Sequence, residues 1–187
     1  MMSDTYFFGY GSLVNLSTHN YAGSRAASLK GWRRLWLNTY MRGAAFLSIH
    51  PSADQEVRGV VACVPDENWD ALDARETGYS RHDVSEFILV NEDNPTTCAV
   101  YVVAEPEETE SGQKSPILMS YLDVVLQGFF QIYGETGLKH FFETTDGWDR
   151  PIQNDRATPI YPRSRELAPI EKELVDDMIN DRGIKII

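Results

Sequence analysis

Cysteine is scarce in this chain. Cys63 and Cys98 are the two among 187 residues, too few for a disulfide scaffold or a Cys-rich metal site. Both sit in strand-like runs, where a cysteine reads as a small buried hydrophobe. Basic residues are also few: 17 Lys and Arg face 28 Asp and Glu, a formal net charge of −11. Phosphate backbones and anionic membranes repel such a chain, and its densest basic run, residues 30–34, is too short to form a patch. No apolar stretch approaches the roughly 20 residues of a membrane span. The Met-Met-Ser-Asp start lacks the basic region of a signal peptide. Nucleic-acid and membrane partners are therefore not expected, and the expected location is the cytoplasm. Repeats, heptads and low-complexity tracts are missing too, while 42% of residues are hydrophobic and 24% charged, so one globular domain over residues 1–187 is expected.

What is present is a set of short apolar runs followed by helical patterns. Tyr6-Phe7-Phe8 reads as a strand that feeds the turn Gly9-Tyr10-Gly11-Ser12. Residues 29–39 read as one strand or a bent pair, 44–50 as a strand closed by Pro51, and 57–64, 87–90 and 98–104 as further strands. A helix is expected over 67–76 with Asp66 as its N-cap and Gly78 near its end. A long helix, apolar almost all round, is expected over 116–133, and a third over 170–181, opened by Pro169 and closed by Gly183. Residues 105–114 read as an acidic loop and 146–165 as an irregular, Pro- and Arg-rich segment. Strands first and helices after predict an α+β fold around a strongly curved sheet or small barrel.

Several residues could carry chemistry. In Gly9-Tyr10-Gly11-Ser12-Leu13 the glycines let the backbone approach a ligand and aim several N–H groups one way, which suits a carboxylate or oxyanion. A plain glycine turn is the alternative. Glu76 shares a helix face with Trp69 and Leu72 and so points toward the core. Desolvation and the helix C-terminus would both raise its pKa, toward that of a proton shuttle near neutral pH. On the other reading Glu76 sits at a fraying helix end and simply meets solvent or pairs with Arg81. Ser12 lacks a nucleophile elbow and a nameable histidine. Tyr121 aligns with Leu118 and Val125 on the long helix, as core or as a site residue, and Asp123 lies on the opposite side. Arg42, before Gly43, could contact an anion. Trp32 and Trp36 read as core or pocket wall. His19, His50, His82 and His140 form no ligand spacing, and neither a metal nor a cofactor is expected.

Together these pieces resemble the γ-glutamylcyclotransferase-like superfamily. The resemblance rests on Tyr6-Phe7-Phe8-Gly9-Tyr10-Gly11-Ser12-Leu13, on Val57-Arg58-Gly59-Val60-Val61 followed by Leu72-Asp73-Ala74-Arg75-Glu76-Thr77-Gly78-Tyr79-Ser80-Arg81, and on Ser120-Tyr121 with Gly128. It spans about residues 5–135, and the segment after 140 matches nothing. It implies a small mixed β-barrel flanked by helices and a cofactor-free enzyme that converts a γ-glutamyl amide or peptide to 5-oxoproline and the released amine. Glu76 would be the general acid/base, with Tyr10, Gly11, Ser12, Leu13, Tyr121 and Arg42 binding the small-molecule γ-glutamyl substrate. Arg42-Gly43 matches the arginine pattern of the glutathione-specific branch only loosely, which leaves the leaving group open, and the oligomeric state is open as well. A hydrolase or precursor-processing enzyme, or a non-catalytic binding protein on the same scaffold, is the rival expectation.

Overall fold

The Tyr-Phe-Phe run forms β1 (Thr5–Gly9), and its two ring faces explain its place. Phe7 and Phe8 point to opposite sides of the strand and both are buried, so β1 must lie inside a sheet covered on both faces. It pairs antiparallel with β3 (Phe46–Cys63) on one side and parallel with β6 (Thr97–Val103) on the other. This computed structural model describes residues 5–40, 43–91, 95–106 and 112–187.

Beyond β6 lies β4 (Tyr79–Asp83). Beyond β3 come β2 (Arg25–Leu37) and β5 (Ile88–Leu89), with β8 (Thr145–Asp146) laid parallel on β2. This mixed sheet curls into a half-barrel carrying a few helices, the α+β arrangement expected. A separate parallel pair joins β7 (Ile117–Leu118) to β9 (Ile152–Gln153). The helices are α1 (Asp70–Arg75), α2 (Met119–Glu143) and α3 (Pro169–Asp181). Val125, Leu126 and Phe129 of α2 join Val57, Val60 and Val100 of the sheet in the main core. A smaller core under the first turn holds Phe7, Leu13, Ala62, Val64, Leu72 and Tyr101.

Three expectations about elements change. Residues 44–50 and 57–64 belong to one strand, β3, which runs through Pro51. The ladder tolerates that proline because Pro51 faces Trp32 beside an irregularity in β2, where Gly31 adopts φ +78°. Helix α1 is shorter than expected and has no Asp66 cap: Asp66 and Glu67 take φ 50° and 56°, and Asn68 Oδ1 instead accepts the Asp70 amide at 3.0 Å. Helix α2 continues past Tyr133 to Glu143 despite a break at Gly134, because Leu138, Phe141 and Phe142 resume the buried face.

The polar expectations fare as follows. Asp123 is buried and bidentate with Arg156 at 2.7 Å, a structural ion pair. Cys98 is buried, whereas Cys63 is partly exposed, and both thiols are free. The acidic loop at 105–114 and the turn at 91–95 fall partly outside the described residues. No helix among the described residues is long and apolar enough to cross a membrane.

Candidate active site

The site begins where β1 ends. After Gly9 the chain turns into a single 3₁₀ turn, Ser12–Val14, closed by the Val14 amide on the Gly11 carbonyl at 3.0 Å. Both glycines are required by close approach. A Cβ on Gly9 would stand 2.6 Å from the Leu13 Cβ, and one on Gly11 would stand 2.7 Å from the Tyr121 hydroxyl. The Tyr121 phenol therefore sits against the bare backbone of Gly11, beside the Ser12 amide. Two trunk contacts hold the loop from below. The Tyr10 hydroxyl donates to the Tyr101 carbonyl at 2.7 Å, and Arg34 Nε donates to the Tyr10 carbonyl at 3.0 Å.

Arg34 is the largest fully buried side chain. Its other donors reach the Thr144 hydroxyl at 2.7 Å and the Arg58 carbonyl, and its guanidinium lies 4.9 Å from the centre of Phe129 and 5.0 Å from that of Phe141. Burial pushes its pKa down to about 9, so it remains a cation at neutral pH. Bonded through all three nitrogens to neutral acceptors and stacked on rings, it is a structural support rather than a group open to ligand.

Glu76 approaches the loop from α1. It is the C-cap of that helix, its amide donating to Leu72 O at 3.0 Å, and Gly78 follows at φ +93°. The cap geometry turns the carboxyl out of the helix line into a cavity, where its side chain keeps 16% of its surface open to solvent. Its ion-pair partner is Arg75, with Nε 3.2 Å from Oε1, and Arg75 is itself anchored to the carbonyl and hydroxyl of Thr18 at 3.0 Å each. Arg81, the partner considered from sequence, instead pairs with Asp73 at 3.4 Å and covers Trp69. Burial raises the Glu76 pKa above the usual carboxylate range, only partly offset by Arg75 and Arg163.

Glu76 stands where two chambers meet, together with Ser12, Leu47, Tyr79 and Tyr121. The inner chamber is walled by the loop, residues 8–13, and by Tyr101. The outer chamber runs past Ala44, Ala45, Phe46 and Arg75 to Tyr161 and Arg163. Burial raises the pKa of the Tyr10, Tyr79 and Tyr121 phenols, with the Glu76 charge adding to each, so all stay neutral hydroxyls. Tyr10 and Tyr79 donate to backbone carbonyls, Tyr79 to Leu47 O at 2.8 Å. Among the described residues the Tyr121 hydroxyl donates to no protein group, and its ring is held edge-on by Trp36 at 6.0 Å and Tyr161 at 5.0 Å.

The structure thus brings Tyr10, Gly11, Ser12, Leu13, Glu76 and Tyr121 to one cavity. Leu13 is mainly a core side chain, and Trp36 is buried behind Tyr121. Arg42 lies outside the described residues. Among the described residues no histidine lines either chamber, and His19 Nε2 is taken up by the Leu13 carbonyl at 2.9 Å, so Ser12 has no histidine beside it. Among the described residues no cluster of His, Cys, Asp or Glu could hold a metal. Sequence reading missed Tyr161, Arg163 and the support role of Arg34, and gave Tyr79 no role. Tyr79 stood within the quoted Gly78-Tyr79-Ser80-Arg81 stretch and could have been found there. Tyr161 and Arg163 lie in an irregular segment with no periodic signal.

Comparison with known proteins gives a family and a fold. The ChaC-like protein family matches residues 5–126, a stretch that contains the loop, Glu76 and Tyr121. No curated protein matches the sequence. Among solved structures, a gamma-glutamyl cyclotransferase is similar over 92% of this chain and 98% of its own, at 16% identity and a TM-score of 0.58. An uncharacterized protein from Homo sapiens is similar over 91% of this chain and 97% of its own, at 17% identity and a TM-score of 0.56. YkqA from Bacillus subtilis matches 76% of this chain, which spans 56% of YkqA, at 16% identity and a TM-score of 0.58. These likenesses show a shared γ-glutamylcyclotransferase-like fold. Fold, loop and matched residues together place the chain in the ChaC-like protein family.

Proposed function

We propose that this protein is a γ-glutamylcyclotransferase-type enzyme that converts a γ-glutamyl amide or peptide to 5-oxoproline and the released amine. One observation carries the reading: a single carboxyl, Glu76, is sheltered at the junction of the two chambers, opposite a glycine loop and the undonated hydroxyl of Tyr121. Family membership and the shared fold support the same chemistry.

The residues suit the reaction step by step. The α-amine of a γ-glutamyl group can reach its own γ-carbonyl, so the protein has only to hold the chain folded; orientation of this kind is worth up to about 7–11 kcal/mol. The inner chamber, with its exposed loop backbone, takes the γ-glutamyl head. The Glu76 carboxylate removes a proton from the α-ammonium, and the freed amine attacks the γ-carbonyl. The Tyr121 hydroxyl, with the Ser12 amide beside it, faces the developing oxyanion. The tetrahedral intermediate then collapses. The amide C–N bond breaks as Glu76 passes its proton to the departing nitrogen, and the regenerated carboxylate relays the second proton from the ring nitrogen to the released amine, which leaves as its ammonium. One ring C–N bond forms and one amide C–N bond is lost, with no net redox change. A raised carboxyl pKa favours this shuttle, because it narrows the gap to both nitrogen acids.

The test is direct. Purified protein is incubated with γ-glutamyl-alanine, glutathione and a γ-glutamyl-amine, and 5-oxoproline is measured. Release of 5-oxoproline from at least one of them is expected. Binding of these compounds without any turnover would favour a non-catalytic binding protein, and release of glutamate instead would favour a hydrolase.

A further inference from the structure

The outer chamber contains a cation, Arg163, to which the chemistry above gives no contact with substrate. Arg163 lies in the segment after β9, beyond the stretch matched by the family. That segment is tied down as a strap. Asp155 Oδ2 accepts the Ile160 amide at 2.8 Å, the Tyr161 amide donates to the Ser120 hydroxyl at 3.2 Å, and Arg165 Nη2 donates to the Ser17 carbonyl at 2.7 Å. The strap is thereby fixed to the start of α2 and to the turn after the glycine loop. Its position is set by bonds that do not involve the Arg163 side chain.

The two arginines of this chamber differ in what they hold. Arg75 is fully engaged with Thr18 and Glu76, and its side chain is only 7% exposed. Arg163 forms no ion pair and no side-chain hydrogen bond among the described residues. The remaining walls are neutral apart from Glu76. In a chain of net charge −11, a second guanidinium in this cavity, near enough to act on the Glu76 charge but bonded to no side chain, is a local reversal of sign that would attract an anion.

Resting on the cyclotransferase reading, we infer that Arg163 is a substrate-binding residue that pairs with a carboxylate on the leaving half of the substrate. The placement follows from the junction. With the γ-glutamyl head in the inner chamber and the scissile amide beside Glu76, the departing group extends into the outer chamber toward Arg163. In a γ-glutamyl amino acid the leaving half carries a carboxylate on the carbon next to the scissile nitrogen. A γ-glutamyl-amine offers nothing to that guanidinium. The preferred substrate class is therefore γ-glutamyl compounds whose released amine is itself an acid.

γ-Glutamyl-alanine and γ-glutamyl-alaninamide test this, because they differ in charge at that one carboxyl and hardly in shape. The wild-type protein should have a kcat/KM roughly ten- to hundredfold higher for the acid than for the amide, the range of a hydrogen-bonded charge pair. Arg163→Gln should abolish most of this preference, the acid slowing far more than the amide, and Arg163→Lys should restore part of it. Equal wild-type rates on the two compounds would overturn the inference. So would an Arg163→Gln variant that slows both alike, which is what a structural role predicts. If neither compound is cyclised, and neither glutathione nor a γ-glutamyl-amine is, the cyclotransferase reading fails on its own. Calorimetric affinities of wild type and Arg163→Gln for the same pair then decide the arginine, and equal affinities in wild type overturn it.

Discussion

Beneath the glycine loop, Arg34 has no exposed surface, and its guanidinium is bonded to two carbonyls and a hydroxyl and stacked on two phenyl rings. Across the cavity, Glu76 has one ion-pair partner, Arg75, and a side chain still open to solvent. Both regions withdraw a charge from water. The floor meets its charge with three neutral acceptors and two aromatic rings of the protein. The wall leaves its charge short of partners. A fully satisfied group rigidifies what it touches, and a partly satisfied one is held in a state that a ligand can complete. Floor and wall should therefore respond in opposite ways to substitution, the floor losing stability and the wall losing activity.

Glu76→Gln is the strongest probe of the wall. Turnover should fall by about 10²–10⁴-fold, the usual range for removing an acid–base group, while circular dichroism stays native. Stability should move the other way. The folded protein holds the Glu76 proton more tightly than the unfolded chain does, so wild-type stability falls as pH rises from the ordinary glutamate range, near 4.5, through the raised folded pKa. The glutamine variant lacks that loss. It should melt above wild type at pH 8, and a lower melting temperature there would break the comparison.

Arg34→Met probes the floor. It leaves the Tyr10 and Arg58 carbonyls and the Thr144 hydroxyl without their donor, at a cost of about 3 kcal/mol in denaturant unfolding. Little loss of stability would show that the floor is dispensable. Gly11→Ala sits between the two regions. Its methyl group would displace the Tyr121 phenol, and activity should fall by about 10–30-fold, equivalent to roughly 1.5–2 kcal/mol. Because the obstacle is the far end of a side chain, Tyr121→Phe in the same protein should recover stability but not activity.

His140 extends the floor, since its Nε2 accepts the Arg58 amide at 3.1 Å and burial pushes its pKa down to about 4. The unfolded chain takes up this proton first, so stability should fall as pH drops from about 6.5 toward 4. Allowing for screening at a half-exposed ring, the loss is about 1–2 kcal/mol, and His140→Gln should flatten that part of the melting profile. Tyr79→Phe is the mildest change. It removes one donor from the Leu47 carbonyl and should cost about 1 kcal/mol of stability, with kcat/KM changed by only a few-fold.

The loop, Glu76 and Tyr121 were legible in the sequence because each is a local signal: glycines beside a turn, a carboxyl on an apolar helix face, a tyrosine in helical register. Strand β3 was cut in two because Pro51 is normally a terminator, and what rescues it is Gly31 on the neighbouring strand, far away in sequence. Helix α1 was drawn too long because nothing in Asp66 or Glu67 announces a positive φ. Arg34 looked like part of a short basic run, since burial of a cation depends on acceptors contributed by Tyr10, Arg58 and Thr144. Tyr161 and Arg163 were beyond reach for the same reason: only tertiary ties to Ser120 and Ser17 bring their segment across the cavity.

The parallel pairing of β1 with β6 has a consequence for how the chain reaches this state. Thr5 is matched with Thr97 and Phe8 with Val100, so β1 waits for its second neighbour until some ninety further residues have been synthesised. Closing so long a loop is an entropic burden met before the contact rewards it, and topologies of this kind fold slowly. During that wait the Tyr-Phe-Phe segment is apolar on both faces and lacks its β6 partner, which makes it a place where chaperone contact or aggregation would begin.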